Sequence, residues 1–330
     1  MIGGDSIESV LVTRHDKIGD FVLALPLCWG LKQVAPEVRV SVLVSKVNVP
    51  FARSLPFIDD VVLFEPGLMG FYRTIKRLAN RRFDVSVSCF IDVRLGITLL
   101  LCGVARRVAP ATKLAQVLFN HSIVQRRSRV EKTEWEYNLD LGRAVFPSLP
   151  KSFPRPLLLV SPNVLYASQF RRFVERESFE RLVVFHPGSG GSSDGNLKLE
   201  DYLRLARVAS EIEGVRVVFT FGPDDNRLSV QVKEQLDFKA DVVSDLPSLW
   251  LFCALLHMTT LFVSTSTGPM HLAGAVNTKT LSFYGASAFA SSRRWEPLNA
   301  PERQSNFMLS GPPSAEEFQR IVEAMKRALS

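Results

Sequence analysis

The chain has 330 residues, more than a single hydrophobic core usually organises, so two domains of about 150 residues are expected. Hydrophobic residues make up 46% and charged residues 22%, a globular balance that argues against disorder except at the ends. The net charge of +7 suits phosphorylated small molecules or anionic lipid headgroups, whereas scattered basic pairs without a long block or zinc-finger spacing argue against a nucleic-acid binder.

In chain order, SVLVT (9–13) reads as a strand and 19–34 as a helix. Strands follow at 38–44 and 61–64, then a basic helix at 70–82. FDVSVSCF (83–90) is a strand, 94–103 an apolar helix stopping at Gly103, and 105–110 a short strand. Residues 132–148 are amphipathic at helical spacing. Five prolines within 146–162 break both helix and strand, which places a domain boundary there.

The second half repeats the alternation. Helical patterns at 167–179, 199–214, 225–236, 246–258 and 268–276 alternate with strands at 181–187, 215–222, 240–245, 260–264 and 278–285. The chain closes on a helix at 314–330, with Ser314 as N-cap and Glu317 completing a capping box. Such alternation implies parallel sheets covered by helices on both faces, in two doubly wound halves. Ligands of such sheets bind beyond the carboxyl ends of the strands, and the cleft between two such domains is the expected site.

Cys28, Cys89, Cys102 and Cys253 sit among apolar neighbours without a CxxC pair, which fits buried free thiols in a reducing compartment and suggests no metal site. The start, MIGGDSIESV, lacks the pattern of a signal peptide, and no apolar run reaches the ~18 residues of a membrane span. A cytoplasmic protein, able to touch a membrane face, is expected.

Four loops could carry chemistry. RHDKIGD (14–20) joins the first strand to the first helix. Asp20 there is either a capping residue or a carboxylate held ionised by the helix dipole, placed to act as general base, with Arg14 and Lys17 near for anionic groups of an acceptor. HPGSGG (186–191) follows a strand and precedes a helix. Its glycine amides suit a phosphate or diphosphate, though it is neither GxGxxG nor a P-loop. FGPDDNRL (221–228) ends a strand, where Asp224 or Asp225 either accepts from a ribose or caps a helix. STSTGPMHLAGA (264–275) opens a helix with four hydroxyls, more than capping needs, and Pro269 in the first turn.

Taken together, RHDKIGDFVLALP, VEKTEWEYNLDL, HPGSGG and STSTGPMHLAGA followed by TLSFYG resemble glycosyltransferase family 9, the ADP-heptose:lipopolysaccharide heptosyltransferases. Their order and spacing span nearly the whole chain. The resemblance implies a GT-B fold, two Rossmann-like domains facing a cleft: 1–155 for the acceptor, 156–313 for the nucleotide sugar, and a 314–330 helix packing back on the first domain. It implies an inverting, metal-independent transferase with no cofactor, moving a sugar, heptose from ADP-heptose above all, onto a lipopolysaccharide core or other glycan acceptor at the anionic inner face of the inner membrane. The family's Gly-Asp falls on Gly19-Asp20, with Asp20 as base. Donor contacts fall on His186, Pro187, Gly188, Ser189, Gly190, Gly191, Gly222, Asp224, Asp225, Ser266, Thr267, Gly268, Pro269, Met270 and His271.

Two departures bear on the donor. Relatives follow the HPGSGG-like loop with a basic residue and Asn-Trp-Pro, where this chain has Gly195 and Asn196-Leu197-Lys198; Lys198 is the candidate replacement cation. Ser266 stands where relatives often carry Asp. These departures leave open a different nucleotide sugar, or a non-catalytic nucleotide- or glycan-binding member of the same fold. A nicotinamide or flavin oxidoreductase would need a cofactor fingerprint after the first strand, which RHDKIGD does not supply.

Overall fold

The computed structural model describes residues 7–112, 114–166, 168, 170–174, 180–188, 195–244, 246 and 248–330. The chain divides into two compact units, Met1–Phe153 and Pro154–Ser330, and the division falls within the proline-rich stretch.

The first unit holds a six-stranded parallel sheet: β1 (Ser9–Thr13), β2 (Arg39–Val44), β3 (Asp60–Leu63), β4 (Val85–Ser88), β5 (Arg106–Pro110) and β6 (His121–Ile123). The order across it is β3-β2-β1-β4-β5-β6. The second unit repeats the plan with β7 (Arg181–His186), β8 (Val215–Thr220), β9 (Asp241–Val243), β10 (Leu261–Thr265), β11 (Lys279–Gly285) and β12 (Gln304–Leu309), ordered β12-β11-β10-β7-β8-β9. Both units are doubly wound α/β structures. In each, the winding direction reverses beside the first strand, between β1 and β4 and between β7 and β10, and such reversals open ligand crevices at the carboxyl ends of the strands.

β1 and β10 lie at the centres of their sheets with both faces covered, which explains the run of three apolar residues in each and the lack of charged ones. The expected helix over 19–34 is two helices, Ile18–Val22 and Leu25–Val34, the second carrying Pro26 in its first turn. The amphipathic 132–148 segment contains the helix Glu134–Arg143, capped by Thr133 and Glu136 in a reciprocal box. Only single turns, Pro162–Leu165 and Arg171–Val174, occupy the described part of the expected 167–179 helix and its approach, and 175–179 lie outside the described residues.

The terminal helix, Ala315–Leu329, has the expected Ser314–Glu317 box but a different berth. It was expected on the first domain. Instead Phe318, Ile321, Met325 and Leu329 join the second unit's core with Leu205 and Leu281, so its apolar face is committed there. All four cysteines are free. Among the described residues no helix is long and apolar enough to cross a membrane.

Candidate active site

In the first unit the site grows from the end of β1. Arg14 follows the strand and is only 4% exposed. A buried guanidinium demands partners, and the neighbouring loops provide them. Its Nε donates to Asp16 Oδ1 at 2.9 Å, its Nη1 to Glu134 Oε1 at 3.0 Å and to the Cys89 carbonyl at 3.2 Å, and its Nη2 to Asp20 Oδ1. Glu134, 1% exposed, also accepts from Arg127 Nη1 at 2.7 Å, and Arg127 Nε donates to Gln125 Oε1 at 2.8 Å.

Asp20 therefore does not cap a helix. The helix Ile18–Val22 begins at Lys17 with no side-chain cap, and the Asp20 carboxylate in its first turn turns to Arg14. The basicity of Asp20 also differs from expectation. Burial is the largest influence and raises its pKa; Arg14 opposes, while Asp16 and Glu134 add to the rise, and the net direction is upward. A carboxylate of raised basicity, anchored at one oxygen, is a better proton acceptor than one held down by a helix dipole.

Arg14 was expected to face an anionic acceptor. Instead its donors serve the protein: of the five N–H groups of a guanidinium, four point at Asp16, Asp20, Glu134 and Cys89. Arg14 is a positioning residue for Asp20. Lys17 is exposed and Gly19 buried. In the same loop after β1, His15 Nε2 lies 2.9 Å from Asp92 Oδ2, with its ring against Phe64 and Phe90. Asp92 also caps the helix Val93–Leu101 through Leu95 N–H. Burial opposes its charge, yet the His15 and backbone hydrogen bonds prevail and its pKa is lowered.

Sequence reasoning missed Glu134, Arg127 and the His15–Asp92 pair. The one available signal was an acid, Glu134, beside Trp135 in a segment otherwise explained by its cap.

In the second unit the described residues expected to hold the donor lie around the β7–β10 reversal. His186 ends β7, fully enclosed, with Nδ1 3.0 Å from Thr220 Oγ1. Burial lowers its pKa to about 4, so it is neutral near pH 7 and serves the fold. The Pro187 carbonyl accepts from Asn196 Nδ2 at 3.1 Å, and Asn196 Oδ1 accepts from Tyr202 at 2.8 Å. Ser189, Gly190 and Gly191 lie outside the described residues.

Gly188 is a glycine for a visible reason. A Cβ there would lie 2.1 Å from Asp225 Oδ2. That same oxygen accepts from Gly222 N–H at 3.1 Å, so the carboxylate folds back across the turn rather than capping the helix Asn226–Gln235. Burial chiefly raises the Asp225 pKa, aided by Asp224, and the Gly222 hydrogen bond only partly offsets this. Asp224 is exposed.

The hydroxyl-rich loop is more committed to the fold than its composition suggested. Ser264 Oγ and Thr267 Oγ1 both donate to the Thr265 carbonyl, and Thr265 Oγ1 donates to the Gly195 carbonyl at 2.5 Å. Thr267 precedes the helix Gly268–Ala275 without capping it by its side chain. The half-buried Ser266, Gly268 and Pro269 and the first amides of that helix remain available to a ligand. Two expected donor residues are instead internal: Met270 accepts from Tyr284 at 3.2 Å in the core, and His271 is buried with its pKa lowered to about 3. Among the described residues His271 Nδ1 has no hydrogen-bond partner. Lys198 is exposed at the start of the helix Leu199–Ser210 and makes no ion pair among the described residues. Among those residues no group of three or more His, Cys, Asp or Glu is placed to hold a metal ion.

Two doubly wound sheets with loops gathered at both reversals form the α/β architecture of the GT-B glycosyltransferases. Residues 103–321 match the sequence profile of glycosyltransferase family 9 (heptosyltransferase), and the chain belongs to that family. It is 32% identical over 326 residues to a Haemophilus influenzae protein described provisionally as a glycosyltransferase, covering 96% of this chain and 93% of that one. It is 23% identical to the Haemophilus influenzae lipopolysaccharide core heptosyltransferase OpsX, over 88% of this chain and 82% of that one. The fold matches the structure of Escherichia coli ADP-heptose lipopolysaccharide heptosyltransferase II with a TM-score of 0.78 at 18% identity, covering 97% and 98% of the two chains.

Proposed function

We propose that the protein transfers heptose from ADP-heptose to a lipopolysaccharide core acceptor, with inversion and without a metal, at the cytoplasmic face of a membrane. Asp20 removes the proton from the acceptor hydroxyl. The freed oxygen attacks the anomeric carbon, the bond from that carbon to the diphosphate oxygen breaks, and ADP leaves with the bonding electrons. Amides at Gly188 and Gly268, the Ser266 hydroxyl and Lys198 receive the developing charge. Asp225 accepts from the ribose.

The observation that carries this reading is the Asp20 carboxylate, raised in basicity by burial and anchored by Arg14 at the carboxyl edge of the first sheet. Support for the sugar and the acceptor comes from the relatives, several of which are named for heptose and lipopolysaccharide.

A second reading, donor binding without transfer, is favoured by Gly195. A Cβ there would lie 2.1 Å from the backbone carbon of Tyr284, so no cationic side chain fits at the position where the family resemblance implies one. Titration calorimetry with ADP, UDP and GDP, followed by an ADP-heptose transfer assay, separates the readings. Selective ADP binding with turnover supports transfer; ADP binding without turnover or hydrolysis supports the second reading; preference for UDP or GDP ends the heptose assignment.

A further inference from the structure

Apolar side chains stand in solvent along one margin of the first unit. Leu68, Met69 and Tyr72 lie on the outer face of the helix Gly67–Ala79, and Leu68 is 88% exposed. Val93 opens the next helix, Leu114 and Val117 on the short turn after β5 are 89% and 82% exposed, and Val124 follows β6. The buried sides of these elements explain how they are held: Leu78, Leu95, Leu99 and Ala115 share one core cluster under the sheet. The outward side chains add nothing to that core.

Topology gathers them. The strands are parallel, and each of these residues comes soon after the carboxyl end of its strand. Asp20 follows β1 on the same edge. The proposed proton acceptor and the apolar margin thus share one edge of one sheet.

The charge there is positive. Residues 66–78 contain three basic side chains and no acidic one, whereas Arg81 and Arg82 lie beside the amino ends of the strands. Arg73 and Arg77 pair with Glu65, and Arg81 pairs with Asp60. Lys76, one turn beyond Tyr72 on the exposed face, makes no ion pair among the described residues. Protruding aliphatic and aromatic side chains on a basic ground are complementary to an anionic bilayer: the apolar tips enter the headgroup region while lysine and arginine reach the phosphates.

We propose that this edge is a bilayer-docking surface, with Leu68, Met69, Tyr72, Leu114 and Val117 entering an anionic phospholipid interface. It would bring Asp20 to the sugar of a lipid-anchored acceptor, a step that rests on the acceptor reading above.

Vesicle flotation of the full chain tests it. Wild type should float with vesicles of phosphatidylethanolamine and phosphatidylglycerol and stay behind with phosphatidylcholine alone. Leu68→Ser/Met69→Ser/Tyr72→Ser and Leu114→Ser/Val117→Ser should each lower partitioning by about tenfold. Lys76→Glu should weaken it most at low salt. ADP binding and the thermal melt should not change in any of these variants, because none touches the core or the donor loops. Loss of ADP binding in wild type with flotation intact strikes the transferase reading and leaves the docking surface standing. Absence of wild-type flotation, or equal flotation of the variants, overturns the docking surface. A dimer in sedimentation equilibrium that the same substitutions abolish assigns the margin to a second copy and also overturns it.

Discussion

Glu134 Oε1 lies 3.0 Å from Arg14 Nη1 across 120 positions of sequence, and both side chains are buried. The pair fixes the guanidinium that holds Asp20. Two arginines, Arg14 and Arg127, share the one oxygen. Removing the carboxylate should leave the buried Arg14 and the partly buried Arg127 under-compensated, and breaking a buried pair typically costs about 3–5 kcal/mol. Glu134→Ala should therefore lower the urea midpoint strongly, and Glu134→Gln, which keeps an acceptor in place, less so. The readout beyond stability is the pH–rate profile. Glu134 raises the Asp20 pKa, so Glu134→Gln should move the acidic limb to lower pH. An unmoved limb with only lost stability would reduce Glu134 to a structural role.

Asp20→Asn keeps the shape of the side chain and an acceptor for Arg14. It should cut transfer by a factor of about 10²–10⁴, the usual worth of a positioned base. ADP affinity should stay within about twofold, because the proposed donor contacts belong to the second unit. In wild type, activity should fall on the acid side as Asp20 takes up a proton, at a pH above that of an ordinary aspartate. Persisting turnover in the variant would remove Asp20 from the chemistry.

The central strands were legible because burial on both faces leaves β1 and β10 with three consecutive apolar residues each, flanked only by Ser and Thr. Of the four edge strands, β3 and β9 were legible but β6 and β12 were not: β6 has three residues, and β12, QSNFML, is half polar with only its last residue buried. The break at Leu23–Ala24 was hidden because every residue from Phe21 to Leu25 is buried, which erases the helical period; Pro26 was its only mark. Of the glycines in HPGSGG, Gly188 has a structural reason, its close approach to Asp225, while Gly190 and Gly191 lie outside the described residues. Glu134 was not legible, because pairing with Arg14 depends on folding, not on neighbours in sequence. The hydroxyls of 264–267 misled for the opposite reason: in sequence they look free, yet the structure directs three of them to backbone carbonyls.

Gly188 and Asp225 should fail together. Gly188→Ala places a methyl on the Asp225 carboxylate and should displace it from the Gly222 amide, lowering ADP affinity by about tenfold or more. Asp225→Ala alone should also weaken ADP binding, through the ribose. The double variant should bind better than the sum of the two losses, because removing the carboxylate makes room for the methyl. Additive losses in calorimetry would separate the two residues.

His186 sets a pH dependence of stability. Its folded-state pKa is lowered to about 4 from the 6.5 of an unfolded histidine. Between those values the unfolded chain binds the extra proton and the native state does not, so unfolding gains as pH falls. Stability from this group is present above pH 6.5 and declines toward pH 4, by roughly 3 kcal/mol in all at about 1.4 kcal/mol per pH unit. His271, with its pKa lowered to about 3, acts in the same direction. Urea denaturation of wild type at pH 7.5 and pH 5 should show the loss. His186→Asn should be less stable at pH 7.5 but should flatten the slope, since asparagine keeps a group for Thr220 and cannot titrate. A variant with the wild-type slope would place the pH dependence elsewhere.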